Sequence, residues 1–194
     1  MHKIILVIIC AALSPIFTGC AEKYPLNGIW TGDIDGETAN LIFIDDICFL
    51  KDDFEILSGK YTYYDGAGSI IILNNNIDFS VSGNNMTVTN DLESYSFTKD
   101  FIADSSPVSI RGLWYADDGW VFAFAGDYVY VIDDDGDATF GKLSFGVNSG
   151  SFKCEYWYDV DFSIKSGNLN AEINTVWGTV ENIVFSRKNN QVKK

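Results

Sequence analysis

The chain repeats itself, and the repeat limits the fold more than any other feature. Gly28-Ile29-Trp30 returns as Gly112-Leu113-Trp114, an offset of 84 positions. Asp78-Phe79-Ser80-Val81 returns as Asp161-Phe162-Ser163-Ile164, 83 positions on. Each is followed by a turn, Gly83-Asn84 and then Gly167-Asn168. Both copies close alike, Phe97-Thr98-Lys99 being answered by Phe185-Ser186-Arg187-Lys188. That last offset is 88, which places a small insertion near Asn174 to Gly178. Matched landmarks in one order predict two units built the same way.

Within each unit no segment keeps the 3.6-residue apolar period of a helix. Short β-branched and aromatic runs alternate with turn residues at intervals of roughly 8–12, the pattern of an all-β chain. In the first copy strands are predicted near 29–33, 40–44, 47–51, 55–64, 69–73, 77–81, 86–89 and 94–99. In the second they fall near 113–116, 120–125, 128–132, 138–145, 150–157, 158–164, 169–174 and 181–188. About eight short strands per copy predict two tandem antiparallel up-and-down meanders, each curled into a small barrel, since closure removes exposed edges. An eight-stranded barrel has an interior just wide enough for its own side chains. With 14 Phe, 10 Tyr and 5 Trp in the chain, filled interiors are expected. Trp30 and Trp114 recur at one place in both copies and read as residues that plug the barrels.

The N-terminus is a targeting segment. Lys3 supplies a positive charge and Ile4 to Leu13 an unbroken apolar run, too short to span a bilayer. Phe17-Thr18-Gly19-Cys20 follows. The segment resembles the lipobox of bacterial lipoproteins, with Phe17 where Leu is usual. The resemblance implies cleavage before Cys20 and attachment of lipid, diacylglycerol and a further chain such as palmitate, to that cysteine. One acyl chain anchors only marginally, so a stable anchor takes several. Ala21 follows the cysteine rather than an aspartate, which favours the outer membrane of a Gram-negative envelope. The expected organisation is a signal peptide over 1–19, a lipidated tether over 20–25, repeat one over 26–99, a linker over 100–109, repeat two over 110–188 and a tail over 189–194. Six extended residues reach at most about 20 Å, so the first unit is expected close to the membrane.

Processing leaves 175 residues and removes His2, the one histidine of the chain. No Ser-His-Asp triad, imidazole base or His-ligated zinc site can then form. Lys3 also leaves, so 12 Lys and Arg face 27 Asp and Glu, a net charge of −15. A field of that sign repels phosphate backbones, and no nucleic-acid partner is expected. No cofactor is expected. Arg187, Lys188, Lys193 and Lys194 read as a frayed basic end. Cys48 and Cys154 sit at non-equivalent positions of different repeats, and read as buried free thiols.

Several features together resemble the small lipocalin-like domains of bacterial lipoproteins. They are the opening Gly-x-Trp, the acidic hairpin Asp133-Asp134-Asp135-Gly136-Asp137 leading into Ala138-Thr139-Phe140, and Gly59-Lys60-Tyr61 before an apolar strand. The first copy departs from that pattern near Asp52-Asp53, which lacks a clear Asp-Gly hairpin. The resemblance carries a fold and little chemistry.

Two groups of residues compete as sites. Asp133, Asp135 and Asp137 are the weak metal candidates, because calcium wants several oxygens on one loop. However, Gly136 is out of register for such a loop and no distal Glu follows, and Asp and Gly are what a tight turn needs. No metal site is therefore expected. The second group is Trp157 with Asp159 and Asp161. Counting alternately back from Phe162 puts Val160, Tyr158, Tyr156 and Cys154 inward and Trp157, Asp159 and Asp161 outward. An exposed Trp beside two carboxylates could stack on a sugar ring. Burial of Trp157 against the other copy, or a bulge that shifts the register, is the competing outcome. The same acids could act as general acid and base, but nothing near them supplies the apolar pocket that raises one carboxyl pKa, so an enzyme is not expected. The functional expectation is a lipid-anchored, non-catalytic binding or interaction module of the cell envelope. Its partner is a protein, a glycan or a small apolar ligand. The alternatives are a structural scaffold subunit and, behind it, a carboxylate-based hydrolase.

Overall fold

The computed structural model describes residues 24–53, 55–90, 93–100, 109–154, 157–178 and 180–187. Among them every regular element is a strand. The first copy contributes β1 (Gly28–Ile34), β2 (Glu37–Ile44), β3 (Ile47–Lys51), β4 (Ile56–Tyr64), β5 (Ala67–Ile72), β6 (Asn75–Ser82), β7 (Asn85–Asn90) and β8 (Glu93–Asp100). The second contributes β9 (Gly112–Tyr115), β10 (Val121–Ala125), β11 (Tyr128–Ile132), β12 (Ala138–Phe145), β13 (Ser149–Cys154), β14 (Tyr158–Lys165), β15 (Asn168–Thr175) and β16 (Val180–Phe185). Each strand pairs antiparallel with the next, giving the two up-and-down meanders expected from the sequence. The first closes fully through β1 and β8. The second is drawn together by one bridge, Tyr115 to Ser186, with reciprocal backbone hydrogen bonds of 2.8 Å.

Alternation along the strands sends one apolar set inward. Phe79 and Phe162 are both buried in their own barrels, as matched landmarks require. The second interior is filled by stacked and edge-on rings: Phe122 lies 4.1 Å from Phe185 and 5.2 Å from Phe152, centroid to centroid. One end of each barrel is sealed by its repeated tryptophan. Trp30 Nε1 donates to the Leu26 carbonyl at 3.0 Å, and Trp114 Nε1 donates to the Ile110 carbonyl at 2.8 Å. A cation covers each indole, Lys99 over Trp30 at 5.3 Å and Arg187 over Trp114 at 4.7 Å. The same cations donate to the carbonyls of Pro25 and Ser109. Arg187 is thus part of the seal and not of a frayed end; Lys188, Lys193 and Lys194 lie outside the described residues. The seal joins buried apolar surface to a satisfied indole N–H, which a buried Trp needs.

The registers make the two copies comparable residue by residue. At the sealed end all three hairpins have equal length: the partners Phe43 and Cys48 match Phe124 and Val129, Gly59 and Ile72 match Gly141 and Cys154, and Phe79 and Val88 match Phe162 and Ala171. At the opposite, open end all four differ. Trp30 and Leu41 are eleven positions apart, Trp114 and Phe122 eight. Cys48 to Gly59 spans eleven against twelve for Val129 to Gly141, and Gly68 to Phe79 eleven against twelve for Gly150 to Phe162. Met86 to Phe97 spans eleven against sixteen for Leu169 to Phe185. The last difference is the insertion placed by the sequence near Asn174 to Gly178.

The barrels lie side by side with their sealed ends together. Ile42, Ile44, Ile47 and Phe49 on the outer face of β2 and β3 form one buried cluster with Leu113, Val121, Ala123 and Tyr130 on β9, β10 and β11. Phe49 and Tyr130 occupy equivalent positions in the two copies and face each other, ring centroids 5.1 Å apart. Equivalent surfaces therefore meet about a pseudo-two-fold axis, as in the self-complementary interface of a symmetric dimer. Residues 41–44, 47–49, 121–124 and 129–131 are consequently buried on both faces of their sheets. This explains why Leu41-Ile42-Phe43-Ile44 and Val121-Phe122-Ala123-Phe124-Ala125 are continuous apolar runs rather than alternating ones.

Gly68 and Gly150 recur at matched corners beneath Phe79 and Phe162. A methyl group on Gly150 would stand 2.6 Å from the Ser144 carbonyl oxygen and 2.7 Å from the Phe162 ring; on Gly68 it would stand 2.5 Å from the Phe79 ring and clash with the Thr62 carbonyl. Overpacking of this kind costs about 1–3 kcal/mol. Gly68→Ala and Gly150→Ala should each lower stability by that amount in urea unfolding, whereas Gly83→Ala, whose methyl group meets no atom within 4 Å, should cost less despite its left-handed turn.

Candidate functional site

The open end of the second barrel carries the loops that differ most from the first copy, and they surround a cleft of about 480 Å³. Four segments build it. The β11–β12 turn brings Asp133 to Asp137, the β13–β14 turn brings Trp157, and the lengthened β15–β16 hairpin brings Trp177. The neighbouring barrel closes one side with Ile56, Leu57 and Ser58 at the start of β4. The cleft therefore exists only where two barrels meet.

Its floor is rigid. Trp120 is buried and meets Tyr158 edge-on at 5.0 Å. The Tyr158 hydroxyl donates to Asp133 Oδ2 at 2.8 Å, and Asp133 Oδ1 accepts the Asp137 backbone N–H at 2.8 Å. Burial first, and then the Asp133 carboxylate beside it, push the Tyr158 hydroxyl well above its usual range, so it stays a donor at neutral pH. Asp133 is thus occupied in holding the turn to the barrel, and Gly136 takes the left-handed φ of 93° that the turn needs. Among the described residues no three Asp, Glu, Cys or His side chains are grouped to hold a metal ion. Of these three acids, Asp133 holds the turn with its carboxylate.

Its rim is aromatic. Trp157 is 46% exposed and Trp177 71%, their ring centroids 5.6 Å apart at an angle of 48°. The sequence places Trp157 outward on a strand; it sits instead in the turn after β13, whose last residue is Cys154. The chain reverses between Cys154 and Tyr158, which are paired across adjacent strands, so the alternation does not run unbroken through them. Both nevertheless point inward, as do Val160 and Phe162, while Asp159 and Asp161 are exposed. Tyr156 lies outside the described residues. Asp159 and Asp161 are not part of the cleft: they stand on the outer face of β14, where Asp159 pairs with Lys153 at 3.7 Å. Both partners are exposed, and such a pair contributes little. Trp177 is the site residue that sequence reading missed. The insertion that carries it was visible as a changed offset, but nothing local shows that its tip reaches Trp157.

The thiols supply no nucleophile. Cys48 and Cys154 are unpaired and buried; burial pushes the Cys48 thiol far up and raises Cys154 from 9.0 to about 12. Both are protonated at neutral pH, and the thiolate is the reactive form. Compared with protein-family profiles and with curated protein sequences, the chain finds no match.

The raised thiol values tie stability to alkaline pH. Above about pH 9 an unfolded Cys154 loses its proton while the folded one keeps it up to about 12, so the unfolded state is favoured as pH rises through that window. Thermal melts should show stability falling between pH 9 and 11, and Cys154→Ala should make the fall shallower.

Proposed function

We propose that this chain is a lipid-anchored envelope protein with tandem lipocalin-like barrels, whose second barrel acts as a non-catalytic binding module through the open-end cleft. One observation carries the reading: hairpins at the sealed end kept equal lengths in both copies, while all four at the open end diverged. Scaffold and variable loops divide in this way where binding is carried by loops on a rigid frame. The divergent loops also hold the exposed Trp157 and Trp177, which a fold has no packing reason to display together. Large aromatic side chains bury much area at low entropic cost when a partner covers them.

The proposed anchor suits the geometry. The described chain enters the first barrel at the sealed end, through Tyr24 and Leu26. A lipid on Cys20 would hold that end toward the membrane and turn the cleft away from it, toward partners in the surrounding space. The Gly-x-Trp seal and the closed eight-stranded meander are in keeping with the lipocalin-like resemblance. A scaffold role is the second reading, favoured by Val176, Val180 and Val184, which lie exposed on the β15–β16 hairpin and could be covered by a partner subunit.

Metabolic labelling with an alkyne-bearing palmitate should tag the chain in its host and bring it to the membrane fraction. Cys20→Ala should abolish both; a label that survives the substitution would overturn the anchor. For the cleft, a screen of glycans and peptides should find binding that Trp157→Ala removes, with circular dichroism unchanged. Recovery of one stoichiometric protein partner whose capture ignores Trp157 would favour the scaffold role.

A further inference from the structure

We infer that the cleft selects an organic cation, an ammonium or guanidinium group seated against Trp157 and Trp177 and hydrogen-bonded by the surrounding carboxylates. The inference rests on the reading of the cleft as a binding site and adds the chemistry it would choose.

Charge is the first argument. Asp134, Asp135, Asp137 and Glu181 line the cleft with Asp133, and among the described residues no Lys or Arg lines it. Asp133 is occupied by the turn and by Tyr158. The other four carboxylates accept no side-chain hydrogen bond and make no ion pair among the described residues. Two cations on the strands that lead to this end are already engaged: Lys51 lies 4.9 Å above the Phe140 ring, and Lys153 pairs with Asp159. Ionised carboxylates are acceptors only. A neutral sugar would leave their charge unbalanced, whereas an ammonium or guanidinium group supplies donors and charge together.

The aromatic rim is the second and independent argument. Ring faces attract a cation within about 6 Å of the centroid, and Trp does so most strongly. Trp157 and Trp177 pack against each other, ring centroids 5.6 Å apart at 48°, and both stay partly exposed, so a cation set beside the pair, not between its rings, can lie within that range of both centroids. The same chain already uses this contact twice, at its sealed end, with Lys99 over Trp30 and Arg187 over Trp114. An inorganic cation fits less well, because no three ligating side chains converge among the described residues. A volume of about 480 Å³ exceeds one ammonium group, leaving room for the aliphatic stem of a lysine or arginine side chain or of a diamine.

The test uses the processed full chain in detergent and follows tryptophan fluorescence during titration with tetra-arginine, 1,4-diaminobutane, calcium chloride and the neutral sugar cellotetraose. Saturable quenching by tetra-arginine or the diamine is expected, weakened at least tenfold by Trp177→Ala and by the double variant Asp134→Asn with Asp135→Asn. Both variants change exposed side chains, and unaltered circular dichroism confirms that they fold. Response to the diamine alone would mark a small amine as the source, and response to the peptide alone a basic segment of a protein; either supports the inference. Quenching that disappears in 0.5 M salt and ignores Trp177→Ala would reflect diffuse attraction to an acidic protein and would overturn it, as would calcium binding at the same carboxylates with no organic cation bound. Trp177-dependent binding of cellotetraose alone would sink the cation while leaving the cleft a binding site. No Trp-dependent binding of any probe, in company with a peptide and glycan screen that Trp157→Ala leaves unchanged, would remove both.

Discussion

The buried contact between the outer faces of β2–β3 and β9–β11 is the constraint on which the rest of the molecule depends. A single small barrel can hide its interior and leave its exterior wet. Here stretches of four strands are buried on both faces, so neither copy can present Ile42, Phe49, Val121 or Tyr130 to water without exposing a contiguous apolar patch. Covering that patch sets the barrels parallel, with both tryptophan seals at one end. It also brings Ile56 to Ser58 of one barrel against the acidic turn of the other. The cleft is a consequence of this packing.

Within that frame the two copies show which parts of the repeat carry structure. The seal is repeated atom for atom in its logic: an indole donating to a carbonyl four residues back, a cation over the ring, and the same cation donating to the preceding strand entry. Gly68 and Gly150 repeat because each lies beneath a phenylalanine ring with no space for a methyl group. Hairpin lengths repeat at the sealed end because those turns sit on the seal. At the open end a loop can gain or lose a few residues and leave the ladder intact. Divergence collects where the fold tolerates it, and a site can be assembled there without disturbing the barrel.

Much of this was readable from local pattern. The offsets of 84 and 83 show the duplication, and alternation around Phe79 and Phe162 gives Phe79, Cys154, Val160 and Phe162 as inward, as they are, although it breaks at the turn that carries Trp157. Turn chemistry at Asp133-Asp134-Asp135-Gly136-Asp137 accounts for Asp133 and Gly136, which hold the hairpin. Other features were present in the sequence and underread. The unbroken runs at 41–44 and 121–125 signal strands buried on both faces, and so foretell that the barrels pack together. Arg187, two positions beyond Phe185 as Lys99 is two beyond Phe97, belongs to the repeat and not to the tail.

What the sequence determined by itself is the class, the duplication and, where strands alternate, the direction of their side chains, because a strand has a period of two and that period is written in neighbouring residues. What only the tertiary structure decided is who meets at the open end. Trp157 was expected beside Asp159 and Asp161, its neighbours in the chain; it stands instead beside Trp177 and the turn at 133–137. The reason is geometric: a barrel brings loops from distant strands to one rim, and which tips converge depends on closure, hairpin length and the packing of a second barrel. None of these is local, so no run of neighbouring residues records them.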